Sequence, residues 1–198
     1  MNFEELYKDA NKVFPIDFDR LQKNLDRKNF YVVVSDGETA QPEYIELSRE
    51  NYINEMLATG SLPVLMKNPI MLNNKRKYDG GITDPLPVKK AYDMGARDIT
   101  LIRTYEETFM RKTKFENYIA ALATRSYPNI SQALISNAKT YNSALEFIKN
   151  PPSDCKITQI CPPHRLKTKR ATINHSTMKS DYLLGTQIGQ RFLQKFSI

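Results

Sequence analysis

The sequence has few of the residues on which several common protein classes depend. Its 198 residues include no tryptophan, two cysteines and two histidines. No run approaches the roughly 20 apolar residues that cross a bilayer, and the polar, acidic N-terminal residues are unlike a secretory signal. Because two cysteines cannot build a disulfide framework, we expect a reducing, cytoplasmic compartment, with contact to membranes at most from the surface.

The histidines and cysteines are also poorly placed for binding a metal. His164 and His175 stand eleven residues apart in polar surroundings, with no third ligand at a metal-binding spacing. Cys155 and Cys161 are six residues apart, too far along a strand to form a disulfide, and are interpreted as small buried hydrophobic residues. We therefore expect no metal and no cofactor.

The residues that are present favour a folded domain with a basic surface. Hydrophobic residues make up 40% of the chain, and 11 tyrosines and 9 phenylalanines exclude a wholly disordered protein. The formal net charge is +7, and the clearest basic cluster runs from Arg165 to Arg170. Such a cluster either forms a solvated surface or attracts anionic lipid or nucleic acid. Since no nucleic-acid-binding motif accompanies it, we favour the solvated surface and expect no nucleic-acid partner.

Strand and helix patterns alternate between residues 30 and 104, which favours an α/β sheet. The apolar run Phe30–Val34 predicts a strand inside that sheet, with neighbours on both sides. Further strands are predicted at Tyr44–Leu47, at Ile99–Ile102 and on either side of an Asn73-Asn74 hairpin turn. Helical spacing predicts helices over the segments Ser48–Gly60 and Val88–Gly95.

The rest of the chain is predicted to be mainly helical. Residues 115–149 predict two helices that Pro128 separates, and Pro151-Pro152 ends this run. One more strand is predicted at Ile157–Ile160, followed by a closing helix over Tyr182–Phe196.

One segment, Tyr78–Val88, has a pattern that suggests chemistry. Asp79 stands between a predicted strand and a predicted helix, and the adjacent Gly80 and Gly81 permit a close approach of the backbone to a ligand or side chain. Sites form at this edge of open α/β sheets, and a carboxylate there accepts a proton or orients a nucleophile. The alternative, which the pattern alone favours, is a turn whose aspartate bonds its own backbone.

The residues Asp79-Gly80-Gly81-Ile82-Thr83-Asp84-Pro85, continuing to Ala91, resemble the bacterial patatin-like phospholipases. Other segments are similar to the same family: Phe30–Asp36, Ala58–Pro63 and Gly95–Thr104. The resemblance implies a three-layer α/β/α sandwich and a Ser–Asp dyad in which Asp79 is the catalytic base. It also implies a lipid or acyl-ester substrate, reached at the surface of a membrane.

The family's nucleophile, a serine in a Gly-x-Ser-x-Gly motif, has no counterpart in this chain, whose first glycine is Gly37. Ser61 lacks that spacing and is interpreted as structural. The resemblance therefore predicts an N-terminally incomplete α/β domain over residues 1–110, with a mostly helical region over residues 111–198. The serine would come from a missing N-terminal part. The alternative is a catalytically inactive remnant that binds lipid or protein.

Asp84 is interpreted differently from Asp79. It precedes Pro85 and stands where its side chain could cap a helix that begins at Pro87. We therefore expect Asp84 to have a structural role.

Overall fold

The computed structural model describes residue 9 and residues 11–63, 70–169 and 172–195. The chain forms two compact units. Unit 1 consists of Met1–Pro87 and Arg111–Ser143, and unit 2 consists of Val88–Met110 and Ala144–Ile198. The expected division of the chain at residue 110 stays a prediction.

Helices and strands alternate along much of the described chain. In chain order, the elements of the described chain are α1 (Phe18–Leu25), β1 (Tyr31–Asp36), β2 (Pro42–Glu46), α2 (Tyr52–Thr59), β3 (Ile70–Leu72), β4 (Lys75–Asp79), a 3-10 turn (Gly80–Ile82), α3 (Val88–Asp93), β5 (Asp98–Ile102), α4 (Phe115–Ala123), α5 (Pro128–Lys149), β6 (Lys156–Ile160) and α6 (His175–Gln194). The fold is therefore mixed α/β. Among the described residues, no helix is both long enough and apolar enough to span a membrane.

Unit 1 contains a four-stranded antiparallel sheet in the order β2-β1-β4-β3. The predicted hairpin between β3 and β4 is confirmed. Asn73 and Asn74 both have positive φ angles, 51° and 61°, which is the backbone of the tight hairpin turn that asparagine tolerates. Short connections of this kind join neighbouring strands in antiparallel fashion.

The prediction that Phe30–Val34 lies inside a sheet is confirmed for the strand that these residues begin. β1 pairs with β2 on one side and with β4 on the other, and Val34 is fully buried. Val34 packs with Ala58 of α2 and Leu72 of β3. The neighbouring position, Ser35, lies opposite Tyr78, which packs instead with residues of α4 and α5: Ala121, Ile130 and Leu134.

Unit 2 contains a separate two-stranded parallel sheet, in which β5 pairs with β6 and Ile99 lies opposite Ile157. The expectation of one α/β sheet over residues 30–104 is therefore wrong, because β5 does not pair with β1–β4. Parallel pairing requires a long crossover connection, and the segment between β5 and β6, which includes α4 and α5, supplies it.

The predicted helix boundaries are set by local signals. Pro128 is the first residue of α5, a position where its missing N–H costs nothing. Gly95, at φ 100°, follows the end of α3 as predicted. The closing helix begins at His175, earlier than predicted, because the Asn174 side chain caps it by accepting a hydrogen bond from Thr177 N at 2.9 Å. Phe196, the predicted end of that helix, lies outside the described residues.

Candidate functional site

The backbone of Asp79 is fixed at the end of β4 by two neighbouring segments. Its N–H donates to the carbonyl oxygen of Ser61 at 2.7 Å, and its carbonyl oxygen accepts from Ser35 Oγ at 2.8 Å. The same Ser35 hydroxyl lies 2.8 Å from Thr83 Oγ1. Ser35 therefore ties the strand end to the turn that follows it.

The side chain of Asp79 is half-buried and begins the 3-10 turn. Its Oδ1 accepts a hydrogen bond from Gly81 N at 2.8 Å. This is the bond expected from the alternative interpretation, in which the aspartate closes its own turn. It also holds the carboxylate in one orientation, and an oriented carboxylate at a strand end can accept a proton from a reacting group.

Close packing, rather than open space for a ligand, explains the two glycines. A Cβ on Gly80 would lie 2.1 Å from the carbonyl oxygen of Val33 in β1, so no other residue fits there without moving the strand. A Cβ on Gly81 would lie 3.0 Å from Asp79 Oδ1. The close approach predicted for these glycines is thus made to β1 and to the Asp79 carboxylate.

A side chain from α5 clamps the same turn. Asn137, 8% exposed, donates from Nδ2 to the carbonyl oxygens of Gly81 at 2.7 Å and Ile82 at 2.9 Å. Its Oδ1 accepts from Arg111 Nη1 at 2.6 Å, and the Arg111 guanidinium stands 4.1 Å from the centre of the Tyr141 ring. The turn after Asp79 is therefore held from the α5 side as well as from β1.

A buried ionic cluster lies in the same sheet. Lys77 Nζ donates to Asp36 Oδ2 at 2.8 Å and to Glu43 Oε1 at 2.7 Å, and the side chains of Lys77 and Asp36 are almost fully buried. Burial alone would raise the pKa of Asp36, but the hydrogen bonds from Lys77, Thr39 and Glu38 hold that pKa well below its ordinary value.

The pKa of Lys77 is shifted upward by the same contacts. Burial disfavours its charged form, but hydrogen bonds to Asp36 and Glu43 outweigh that cost and raise the pKa. The Lys77 cation and the Asp36 carboxylate therefore stay charged together in the folded protein.

Glu55 and Ser61 are buried polar residues of the same unit. Glu55 is 8% exposed, and its Oε2 has no hydrogen-bond partner among the described residues. Burial raises the pKa of Glu55, although the nearby charge of Lys77 opposes the rise. Ser61 is fully buried, and its hydroxyl likewise lacks a described partner. A fully buried hydroxyl cannot meet a substrate, which agrees with a structural role for Ser61.

Asp84 has a structural contact, but not the predicted one. Its Oδ2 accepts a hydrogen bond from the Tyr44 hydroxyl, and its N–H donates to the carbonyl oxygen of Gly80 at 2.9 Å. Since α3 begins at Val88 rather than at Pro87, the side chain links the turn to β2 instead of capping a helix there.

The remaining candidate residues form no cluster in the described part of the chain. His164 and His175 are exposed, Cys155 is buried and Cys161 is half-buried; both cysteines are free, and burial raises the pKa of the Cys161 thiol. No described group of three or more histidine, cysteine or acidic side chains could hold a metal ion. The basic side chains of Arg165, Lys167 and Lys169 are exposed, and Arg170 lies outside the described residues.

The sequence pattern did not identify Asn137, Ser35 or Lys77 as part of this site. A signal existed for Asn137, because it is a polar residue on the helix face that carries Leu134 and Tyr141. No comparable signal marked Lys77, because its partners Asp36 and Glu43 are brought to it only by the pairing of three strands.

Comparison with known proteins gives two similarities to this chain. Residues 127–197 match the model of a domain of unknown function, DUF6363. The uncharacterized protein YjjU of Escherichia coli strain K12 is 25% identical over 181 residues, which make up 90% of this chain and 51% of YjjU. The chain thus spans about half the length of this relative. No solved structure matches.

These findings correct the family assignment. The resemblance to bacterial patatin-like phospholipases is not supported, because the matching family model describes a domain of unknown function and the relative is uncharacterized. The α5 and α6 helices, including Asn137, lie within the matched domain.

Proposed function

We propose that Asp79 is the general base of an acyl-ester hydrolase whose nucleophile lies outside these 198 residues. The observation that carries the proposal is the fixed, half-buried carboxylate at the end of β4, with Oδ1 held by Gly81 N at 2.8 Å. The proposal rests on this geometry and on no family assignment. A three-layer α/β/α arrangement and a lipid acyl ester as substrate belong to the same proposal.

The chemistry explains why a rigid carboxylate matters. A serine hydroxyl is a weak nucleophile until a base accepts its proton as the oxygen attacks the acyl carbon. The base must stay within hydrogen-bonding reach of that proton throughout the step. Bonds to Ser61 and Ser35 fix the Asp79 backbone, and the Gly81 bond fixes the carboxylate, so the group would need little reorganisation during the reaction.

The hydrogen bond from Gly81 N to Asp79 Oδ1 also favours a second function, that of a binding module without catalytic activity. If Asp79 serves only to close its turn, the chain is an inactive module that binds lipid or protein. The chain spans about half of YjjU, so the other half of that protein is where a nucleophile can be tested for. The two functions differ in whether Asp79 affects an ester-cleaving activity.

The first experiment measures hydrolysis of a short-chain aryl ester by the 198-residue chain. We expect no activity above background, because the 198 residues contain no serine in a Gly-x-Ser-x-Gly motif. Activity that scales with protein and survives Asp79→Ala would contradict the role of Asp79.

The second experiment joins this chain to the part of YjjU that it does not match and repeats the assay. We expect Asp79→Asn to reduce the rate by about 10²–10⁴-fold, since asparagine has nearly the same shape but cannot accept the proton. Asp84→Asn is the matched control, because its Oδ1 can still accept from Tyr44. Equal activity of the two variants contradicts the hydrolase, and a fully inactive chimaera favours the binding module.

A further inference from the structure

Helix α4 buries its small and polar residues and exposes its large apolar ones, the reverse of an ordinary amphipathic helix. Its inner face consists of small or polar residues: Ala120 and Ala121 are half-buried and buried, and Thr124 just beyond the helix is buried. Asn117 Nδ2 donates to the carbonyl oxygen of Leu134 at 2.9 Å, which fixes the helix against α5. The large apolar side chains of α4 are on the opposite side.

That outer face is apolar and continuous. Its four side chains follow the spacing i, i+3, i+4 and i+7, which aligns them along one stripe of the helix. Their exposed fractions are 76% for Phe115, 52% for Tyr118, 50% for Ile119 and 67% for Leu122. Such a stripe, unlike scattered apolar residues, marks a surface that binds something.

Charge indicates what this surface meets. The segment from Met110 to Ser126 holds four basic residues (Arg111, Lys112, Lys114 and Arg125) and one acidic residue, Glu116, a net charge of +3. Lys112, Lys114 and Arg125 are exposed at the two ends of the helix, and no described acidic side chain forms an ion pair with them.

We propose that α4 inserts its apolar stripe, Phe115, Tyr118, Ile119 and Leu122, into the surface of a membrane that contains anionic lipid. An apolar, aromatic helix face lies about 5–10 Å deep at the boundary between headgroups and acyl chains, while basic residues contact the phosphates. A protein surface as partner would need acidic groups around an apolar groove, and a membrane supplies both features in one surface. The proposal does not depend on the hydrolase activity.

The inner face of α4 packs close to the turn that follows Asp79. Ala121, on the inner face of α4, packs in one cluster with Tyr78 and Ile82, which flank the Asp79 turn in sequence. A membrane bound to the outer face of α4 would therefore lie one helix diameter, about 10 Å, from that cluster.

The chain has no tryptophan, so one introduced tryptophan reports on one position. We would prepare Tyr118→Trp in the 198-residue chain and mix it with vesicles of phosphatidylcholine, or of phosphatidylcholine with an equal amount of phosphatidylglycerol. The expected result is a blue-shifted emission and quenching by brominated acyl chains with the anionic vesicles. The matched reporter is Tyr182→Trp in α6, because Tyr182 is 73% exposed and outside the stripe. It is expected to show neither effect.

Binding strength tests the stripe and the charges separately, by sedimentation with the anionic vesicles. The double change Phe115→Gln and Leu122→Gln is expected to weaken binding by at least about tenfold, since each substitution removes apolar area that is buried in the bound state. Lys112→Gln and Lys114→Gln are expected to weaken it by about fivefold each. Met71→Gln, at a 52% exposed site in β3, is the control and should bind normally.

Three results would overturn the proposal. The first is no binding of the unchanged chain to anionic vesicles. The second is binding that the Phe115 and Leu122 changes leave intact. The third is a dimer in size-exclusion chromatography that those two changes dissociate, because the stripe would then bind a second copy of the chain. Circular dichroism of each variant confirms that the fold is kept, as the exposed positions lead us to expect.

Discussion

At the scale of single residues, the buried Lys77–Asp36 pair predicts a loss of stability in acid. The pKa of Asp36 is lowered in the folded state, so its contribution is fully present above the ordinary aspartate pKa of about 3.9 and is lost as the pH falls below it. Asp36→Asn should cost about 3 kcal/mol at pH 7, because it leaves a buried lysine with only Glu43 as ionic partner. Urea unfolding at pH 7 and at pH 3 measures both effects, and the variant should lose less stability than the unchanged chain between them.

Glu55 provides a control, because its pKa is shifted in the opposite direction from that of Asp36. Its folded-state pKa is raised, so in acid both folded and unfolded chains are protonated there. A cost builds up as the pH rises from the unfolded pKa to the folded pKa, and it is complete above the folded pKa. Glu55→Gln should therefore leave stability unchanged at pH 4 and increase it by about 1 kcal/mol at pH 8. A loss of stability at pH 8 would show that the Glu55 carboxylate has a partner in solution.

Gly80 predicts a strong steric effect on stability. In Gly80→Ala the new Cβ would meet the Val33 carbonyl at 2.1 Å, and a backbone atom of a central strand cannot move cheaply. We expect a loss of about 3 kcal/mol, at the upper end for overpacking. Gly185→Ala in α6 is the control: nothing lies within 4 Å of its Cβ, and alanine should add up to about 1 kcal/mol to the stability. Equal thermal unfolding temperatures for the two variants would contradict the packing of the turn on β1.

At the scale of elements, α5 is predicted to hold the Asp79 turn in place through one side chain. Asn137→Ala removes both donors to the Gly81 and Ile82 carbonyl oxygens and should cost about 1–3 kcal/mol, because two buried acceptors lose their partner. Amide hydrogen exchange should quicken at Gly81, Ile82 and Thr83 more than in α5 itself. Gln132→Ala, exposed on the same helix, is the control. Faster exchange spread evenly over unit 1 would indicate a general loss of stability instead of a clamp.

Elements were predicted well from the sequence wherever one short segment determines them. The Asn73-Asn74 turn, the start of α5 at Pro128 and the end of α3 before Gly95 each depend on the backbone preference of one or two residues. The sheet to which a strand belongs depends on distant segments, which is why β5 was expected in the same sheet as β1 and is found in a separate sheet with β6. For the same reason Asp79 was found from its local motif, whereas Ser35 and Asn137, 44 and 58 residues away in sequence, were not.

At the scale of the whole molecule, the edges of the two sheets differ in how well they resist another chain. The β1–β4 sheet ends in β2, which begins at Pro42 and carries Glu43 and Glu46, and in the three-residue strand β3. Proline, charge and short length all discourage pairing at an edge. β1, the strand most prone to associate by its composition, has neighbours on both sides. Association through unit 1 is therefore not expected.

The two-stranded sheet of unit 2 is less protected, because its five-residue strands hold no proline and carry one charged residue each, Asp98 and Lys156, both at the start of the strand. It therefore predicts where the chain associates. Arg97 O accepts from Lys156 N and Arg103 N donates to Ile160 O, so the residues on either side of β5 bond to β6. In a parallel ladder alternate residues bond to the same neighbour, so Ile99 and Leu101 face β6 as well. Thr100 lies an odd number of residues from both Arg97 and Arg103, so its N–H points away from β6, to the outer edge of β5. Ile102, which is 76% exposed, has the same alternation as Thr100. Thr100→Pro removes this outward donor without breaking the ladder.

We expect the unchanged chain to form concentration-dependent dimers in size-exclusion chromatography with light scattering, and Thr100→Pro to be monomeric with similar stability. Leu101→Pro is the matched control, because Leu101 shares the alternation of Arg97 and Arg103, and its N–H faces β6. This change should lower the unfolding temperature by removing a ladder bond. A chain that is monomeric at every concentration, or a dimer that Thr100→Pro leaves intact, would mean that the outer edge of β5 is covered in solution. Parallel sheets are normally buried on both faces. The two-stranded parallel sheet of unit 2 is therefore the part of this fold where we most expect another strand to pair.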